Sequence, residues 1–119
     1  MAKFEVNIQG DFDDFKNYIN QKVIQGSVTA SLEEESYGIV GTTRYWVGAY
    51  ERFSYTGGNR LSMNITLIGD GYQLKLIATS TGGSQAMFFK INTWGEEAFL
   101  DTLREAVKTY HLKRRSYDG

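Results

Sequence analysis

The chain has 119 residues, 13 Lys plus Arg against 14 Asp plus Glu, a formal net charge of -1, and neither cysteine nor proline. That length fits one domain, which buries roughly two-thirds of the surface its unfolded form exposes and needs no metal or disulfide to hold a core. Near-neutral charge supplies no global field toward nucleic acid or anionic lipid. The missing cysteines exclude disulfides, thiol nucleophiles and thiolate metal sites. The opening "MAKFEVNIQGDF" lacks the apolar stretch of a signal peptide, and no run approaches the ~20 apolar residues of a spanning helix. A cytoplasmic protein with no membrane attachment is expected.

Taken in order, "KFEVNIQ" alternates with Phe4, Val6 and Ile8 on one side, a strand by its period of two. Asp11 then reads as an N-cap with Asp14 three residues on, and Phe12, Phe15, Ile19 and Val23 recur at helical spacing until Gly26. Strands are predicted next over residues 28–37, 43–55, 60–69, 72–81 and 84–91, with no helical period between them. A second helix occupies the C-terminal region. Phe99, Leu103, Ala106 and Tyr110 repeat at three and four, with acids early and Lys108, Lys113, Arg114 and Arg115 late, in the sense the helix dipole favours. Residues 1–112 form the predicted domain and 113–119 a basic, frayed tail.

With 13 glycines and no proline, glycine has to make the turns. Asp70-Gly71 as a two-residue turn sets Met63, Ile65 and Leu67 on one face with Leu74, Leu76 and Ala78. A Gly82-Gly83 turn adds Met87, Phe89 and Ile91 to that face. A three-residue loop, Gly57-Gly58-Asn59, adds Phe53 and Tyr55. A four-residue loop from Gly38 to Gly41 sets Leu32 beside Val47 and Glu35 beside Arg44. Neither double glycine leads into a helix N-terminus, so both read as turn chemistry rather than phosphate cradles. Thr93 with Glu96, or Gly95 with a Trp94–Phe99 staple, starts the last helix.

The expected fold is α+β: a single antiparallel sheet of five to six strands with two helices on one face, in the order β-α-β-β-β-β-β-α, and the other face open. This order resembles the TATA-binding-protein-like or helix-grip topology. At the level of residues, "ASLEEE", "YERFSYTGGNR" and "GGSQAMFFKINTWGEEAFL" resemble an uncharacterised family of small bacterial proteins classed as a domain of unknown function, over residues 1–112. The resemblance implies no catalytic or binding residue.

The single histidine, His111, sits near the end of a basic helix and reads as a solvated residue rather than a catalytic base. One histidine without cysteine makes a poor zinc site. Glu33, Glu34 and Glu35 alternate across a strand and cannot converge on a cation. No cofactor is expected. On the register above, Glu51 points to the apolar face between Ala49 and Phe53, where a carboxylate costs several kcal/mol unless paired, protonated or wet. A β-bulge in "GAYERF" would turn it outward, and a sheet end open to water would leave it solvated. Left inward, Glu51 holds the polar end of a small hydrophobic ligand in a cavity lined by Phe15, Ile19, Phe53, Leu76 and Phe99, or acts as a general base with no visible second catalytic group.

The open face is expected to carry Arg44, Trp46, Tyr50 and Arg52, with Asn64, Lys75, Ile77, Phe88 and Lys90 from neighbouring strands. Aromatics between cations suit stacked bases, but the weak net charge and the acids at 33 and 35 favour a protein partner, a second copy in the first place. The sequence is read as a noncatalytic interaction or self-association module. A small-molecule binder stands as the alternative, followed by an enzyme using Glu51 and a single-stranded nucleic-acid binder.

Overall fold

Alternation, capping and glycine turns build most of the architecture directly. The computed structural model describes residues 2–53, 60–82 and 98–110. Strand β1 (Ala2–Gln9) is followed by helix α1 (Phe12–Gln25), strands β2 (Ser31–Val40), β3 (Thr43–Phe53), β4 (Arg60–Asp70) and β5 (Gln73–Gly82), and helix α2 over 98–110. The five strands form one antiparallel sheet in the order β1-β5-β4-β3-β2. The fold is the expected α+β arrangement. The predicted strand 84–91, both double-glycine turns, the 93–96 cap, His111 and the basic tail fall on or extend into positions outside the described residues.

Helix α1 starts where the sequence places it. The Asp14 N–H donates to Asp11 Oδ2 at 2.9 Å, satisfying one of the amides that the first turn leaves unpaired. Its buried stripe is Phe12, Phe15, Ile19 and Val23. Helix α2 buries Phe99, Leu100, Leu103, Ala106, Val107 and Tyr110. The helices touch through Tyr110, whose ring lies 4.8 Å from Phe15 and 5.3 Å from Tyr18, and whose hydroxyl donates to Asp14 Oδ2 at 3.0 Å. Both stripes pack on the sheet face formed by Leu61, Met63, Ile65 and Leu67 of β4 with Leu74, Leu76 and Ala78 of β5. Each fully buried side chain of this size contributes ~1.5–3 kcal/mol relative to exposure.

The turns correct the expected registers in two different ways. Between β4 and β5, Asp70 pairs with Gln73, so Gly71-Tyr72 forms the two-residue loop, with Gly71 at φ 62°. The pairing moves by two residues, and because the side-chain period is two, the faces are kept. Between β2 and β3, Val40 pairs with Thr43 around Gly41-Thr42, with Gly41 at φ 63°. Ile39 and Val40 are therefore strand rather than loop; Leu32 lies beside Tyr50, not Val47, and Glu35 beside Gly48, not Arg44.

Strand β3 is the substantive correction. Phe53 pairs with Arg60, leaving residues 54–59 between them, an even number where a three-residue loop leaves an odd one. Exchanging odd for even turns over every side chain of the strand. Trp46, Tyr50 and Arg52 consequently lie on the helix-covered face, and Glu51 and Phe53 on the open one. Gly48 sits between the two large rings. A Cβ there would come within 2.6 Å of the Trp46 ring, so the missing side chain is what lets Trp46 lie flat over the strand.

Candidate interaction surface

The covered face of β3 is a set of polar tips that find partners on the helices and on β2. The Arg44 guanidinium donates to both carboxylate oxygens of Asp13 at 2.8 and 2.9 Å and stacks 4.4 Å from the Phe12 ring. This contact holds the Asp13 carboxyl below its ordinary pKa. Trp46 Nε1 donates to Glu35 at 2.9 Å. The Tyr50 hydroxyl donates to Asn20 on α1. Burial, and secondarily the Glu35 carboxylate, push the Tyr50 phenol above its usual pKa. Arg52 is buried with its guanidinium 4.5 Å from the Phe99 ring of α2. These four residues, expected on an exposed interaction face, are instead the joints between sheet and helices.

Of the expected ligand-cavity residues, Phe15, Ile19, Leu76 and Phe99 are together in the core. Glu51 and Phe53 are not with them. The Glu51 side chain is 28 % exposed on the open face, against the Arg60 guanidinium, which also lies 4.0 Å from Glu33. Ser31 pairs with Glu51 across β2 and its hydroxyl donates to Glu33. Glu51 is turned outward by the parity of β3 rather than by a bulge in "GAYERF"; the register shift lies in β2, between Leu32 and Glu34. Thr29, Ser31, Glu51, Arg52, Phe53 and Arg60 line a recess of about 60 Å³. Small-molecule pockets hold ~300 Å³ or more, so this recess has no room for a drug-sized ligand. Among the described residues no three His, Asp or Glu side chains converge as a metal site, and no helix is long and apolar enough to cross a membrane.

The open face carries a different set of residues from the one expected. Tyr45, Val47 and Ala49 of β3 alternate with the buried Trp46, Gly48 and Tyr50. Tyr45 pairs with Ile68, and Val47 pairs with Thr66, which pairs in turn with Ile77. Of the residues expected there, Ile77, Lys75 and Asn64 are in place; Phe88 and Lys90 lie outside the described residues. An apolar stripe, all of it half-buried, thus crosses the three central strands. Charged pairs flank it: Lys75 and Lys3 reach Glu5 at 3.0 and 3.4 Å on the β1 side, and Arg60 meets Glu51 on the β3 side. Lys75, ahead of Lys3, draws the Glu5 carboxyl below its ordinary pKa.

Sequence reasoning missed Tyr45, Val47 and Ile68 as surface. The β-branched and aromatic alternation of "TRYWVGAY" was visible, but alternation does not say which half is covered. Edge strand β2 adds Val40 to this face, 72 % exposed, while Tyr37 and Ile39, 71 % and 66 % exposed, pair with Trp46 and Arg44 and lie on the opposite face.

The model of the family of unknown function DUF6054 matches residues 1–111. No curated protein matches the chain.

Proposed function

The chain belongs to the DUF6054 family, and we propose that it is a noncatalytic self-association module that uses the open face of its sheet. The observation that carries this reading is the stripe Tyr45–Ile68 and Val47–Thr66–Ile77 across the centre of a face that neither described helix covers. An apolar centre inside a charged rim is the anatomy of a protein-protein contact. Nucleic acid fits less well. Lys75 and Arg60 already face carboxylates, so phosphate would have to displace them, and Arg44, Trp46, Tyr50 and Arg52 are turned away from this face. The 60 Å³ recess weighs against a small-molecule binder at Glu51.

Sedimentation velocity on the full chain tests the reading. Wild type sediments as an oligomer, while Ile77→Glu shifts toward monomer with an unchanged far-UV spectrum and melting temperature. A wild type that stays monomeric at ~100 µM, well above the Kd of a specific contact, or an Ile77→Glu protein with the same oligomer, rejects the open face as the contact.

A further inference from the structure

Strand β2 is the last in the order β1-β5-β4-β3-β2; it pairs on one side with β3, and among the described residues no backbone bond reaches its other side. The two-residue loop Gly41-Thr42 makes Val40–Thr43 a hydrogen-bonded pair, so Tyr37 and Ile39 turn their N–H and C=O groups outward. Those groups are open to a further strand. The edge shows Glu35, Tyr37 and Ile39 on the helix side, and Glu34, Ser36 and Gly38 on the open side. The cations around it are engaged: Arg44 and Lys16 with Asp13, Arg60 with Glu51 and Glu33, and Arg52 over the Phe99 ring. Asp70, bonded by Thr42, adds another acid beyond the loop. The edge is therefore acidic at 33–35 and apolar at 37 and 39.

We infer that this edge takes residues 111–115, His-Leu-Lys-Arg-Arg, from a second copy of the chain as an added antiparallel strand. The contact is separate from the open face. With Leu112 opposite Tyr37, Arg114 falls opposite Glu35 on the helix side, while Lys113 and Arg115 fall opposite Ser36 and Glu34 on the open side. This register alone joins the apolar pair to both charge pairs. Moved two residues toward Ile39, both arginines miss the glutamates; moved two the other way, Leu112 meets Glu35. A one-residue slip takes Leu112 off the apolar side, to Ser36 or Gly38. A parallel strand with Leu112 on Tyr37 carries Arg114 to Ile39.

The segment has to come from another copy because α1 stands in the way. Tyr110 packs on α1 through Asp14, Phe15 and Tyr18, whereas Asp13 and Asn20, on the other flank of the helix, bind Arg44 and Tyr50 of β3. Leu112 is two residues past Tyr110 and reaches at most ~7 Å from it. That is less than the ~10 Å width of the helix between it and its own β2. Charge selects this segment within the sequence: Lys113-Arg114-Arg115 is the chain's one run of three cations, and Glu33-Glu34-Glu35 its one run of three acids.

Charge exchange between copies tests the added strand. Sedimentation velocity in ~50 mM salt, where screening is weak, is run on full-length wild type, Arg115→Glu, Glu34→Arg and an equimolar mixture of the two variants. Each variant alone sets like charges opposite one another and weakens association by about tenfold; the mixture offers an unlike pair in both directions and recovers wild-type association. A contact within one chain gains nothing from mixing. Single variants without effect, or a mixture as weak as its components, overturn the proposal. Amide exchange reads the pairing itself: the Tyr37 and Ile39 N–H groups are protected in wild type and lose that protection in Arg115→Glu, and equal rates in the two proteins overturn it as well. Ile77→Glu separates this contact from the open face. If it dissociates the oligomer while the charge variants do nothing, the open face stands and the edge contact falls; if mixing rescues association while Ile77→Glu has no effect, the reverse holds. A wild type that is monomeric throughout removes both.

Discussion

The two faces of β3 have the same strand geometry and opposite chemistry. One presents Trp46, Tyr50 and Arg52, large side chains with polar tips, each given a partner by another element: Glu35 on β2, Asn20 on α1 and the Phe99 ring on α2. The other presents Tyr45, Val47, Ala49 and Glu51, smaller on average and more apolar, against neighbours in the same sheet. On β3, therefore, the buried side is not the more hydrophobic one. Burial follows from whether the partner layer can satisfy the tips, because a buried polar group without a partner costs ~1–3 kcal/mol while a half-buried valine costs little.

The largest test of that contrast is truncation. Trp46→Ala removes a fully buried ring and is expected to cost ~3–5 kcal/mol in urea unfolding, whereas Val47→Ala one position along costs less than ~1 kcal/mol. Equal losses would break the assignment of faces. Next come the turns that fix the registers. Gly41→Val and Gly71→Val each force a β-branched residue to positive φ, for ~1–2 kcal/mol apiece; an unchanged urea midpoint in either variant would remove that turn from the register argument.

Polar tips give the third comparison. Tyr50→Phe deletes the hydroxyl bonded to Asn20 and should lose ~1 kcal/mol, while Tyr45→Phe on the open face should be close to neutral. Comparable losses would mean that Asn20 adds nothing specific. The smallest effects are in the pH dependence of the ion pairs. Asp13 has a depressed folded pKa through Arg44, and Glu5 through Lys75. Each contributes stability that is present above its unfolded pKa and is lost as pH falls through the lower folded value. Wild type should therefore exceed Asp13→Asn and Glu5→Gln near neutrality and lose that margin in acid. Both groups are solvent-screened, so the margins are small; a margin that grows on acidification would contradict the sign.

The sequence readily discloses elements whose two faces differ in kind. In α1, Phe12, Phe15, Ile19 and Val23 sit among Asp, Lys, Asn and Gln, so one rotation about the helix axis separates them. In β4 and β5, Met63, Ile65 and Leu67 alternate with Asn64 and Thr66, and a two-residue error in the turn left the faces intact. Strand β3 has no such contrast. Tyr and Val on one side stand against Trp and Tyr on the other, and arginine on the covered side reads as exposed until its stacking on Phe12 or Phe99 is known. Arginine stems pack well against apolar surface, so charge is a poor sign of exposure here.

What the chain by itself determined is the set of local periods: which segments are strand or helix, where α1 begins, and which sides of β1, α1, β4, β5 and α2 are apolar. These follow from neighbours three, four or two residues apart, and such neighbours are fixed by backbone geometry alone. The tertiary structure alone decided the parity of β3, the inward course of Arg44 and Arg52, the outward course of Glu51 and hence the composition of the open face. That choice depends on the count of residues between Phe53 and Arg60 and on partners as distant in sequence as Asp13, Asn20 and Phe99, and a pattern with a period of two carries neither.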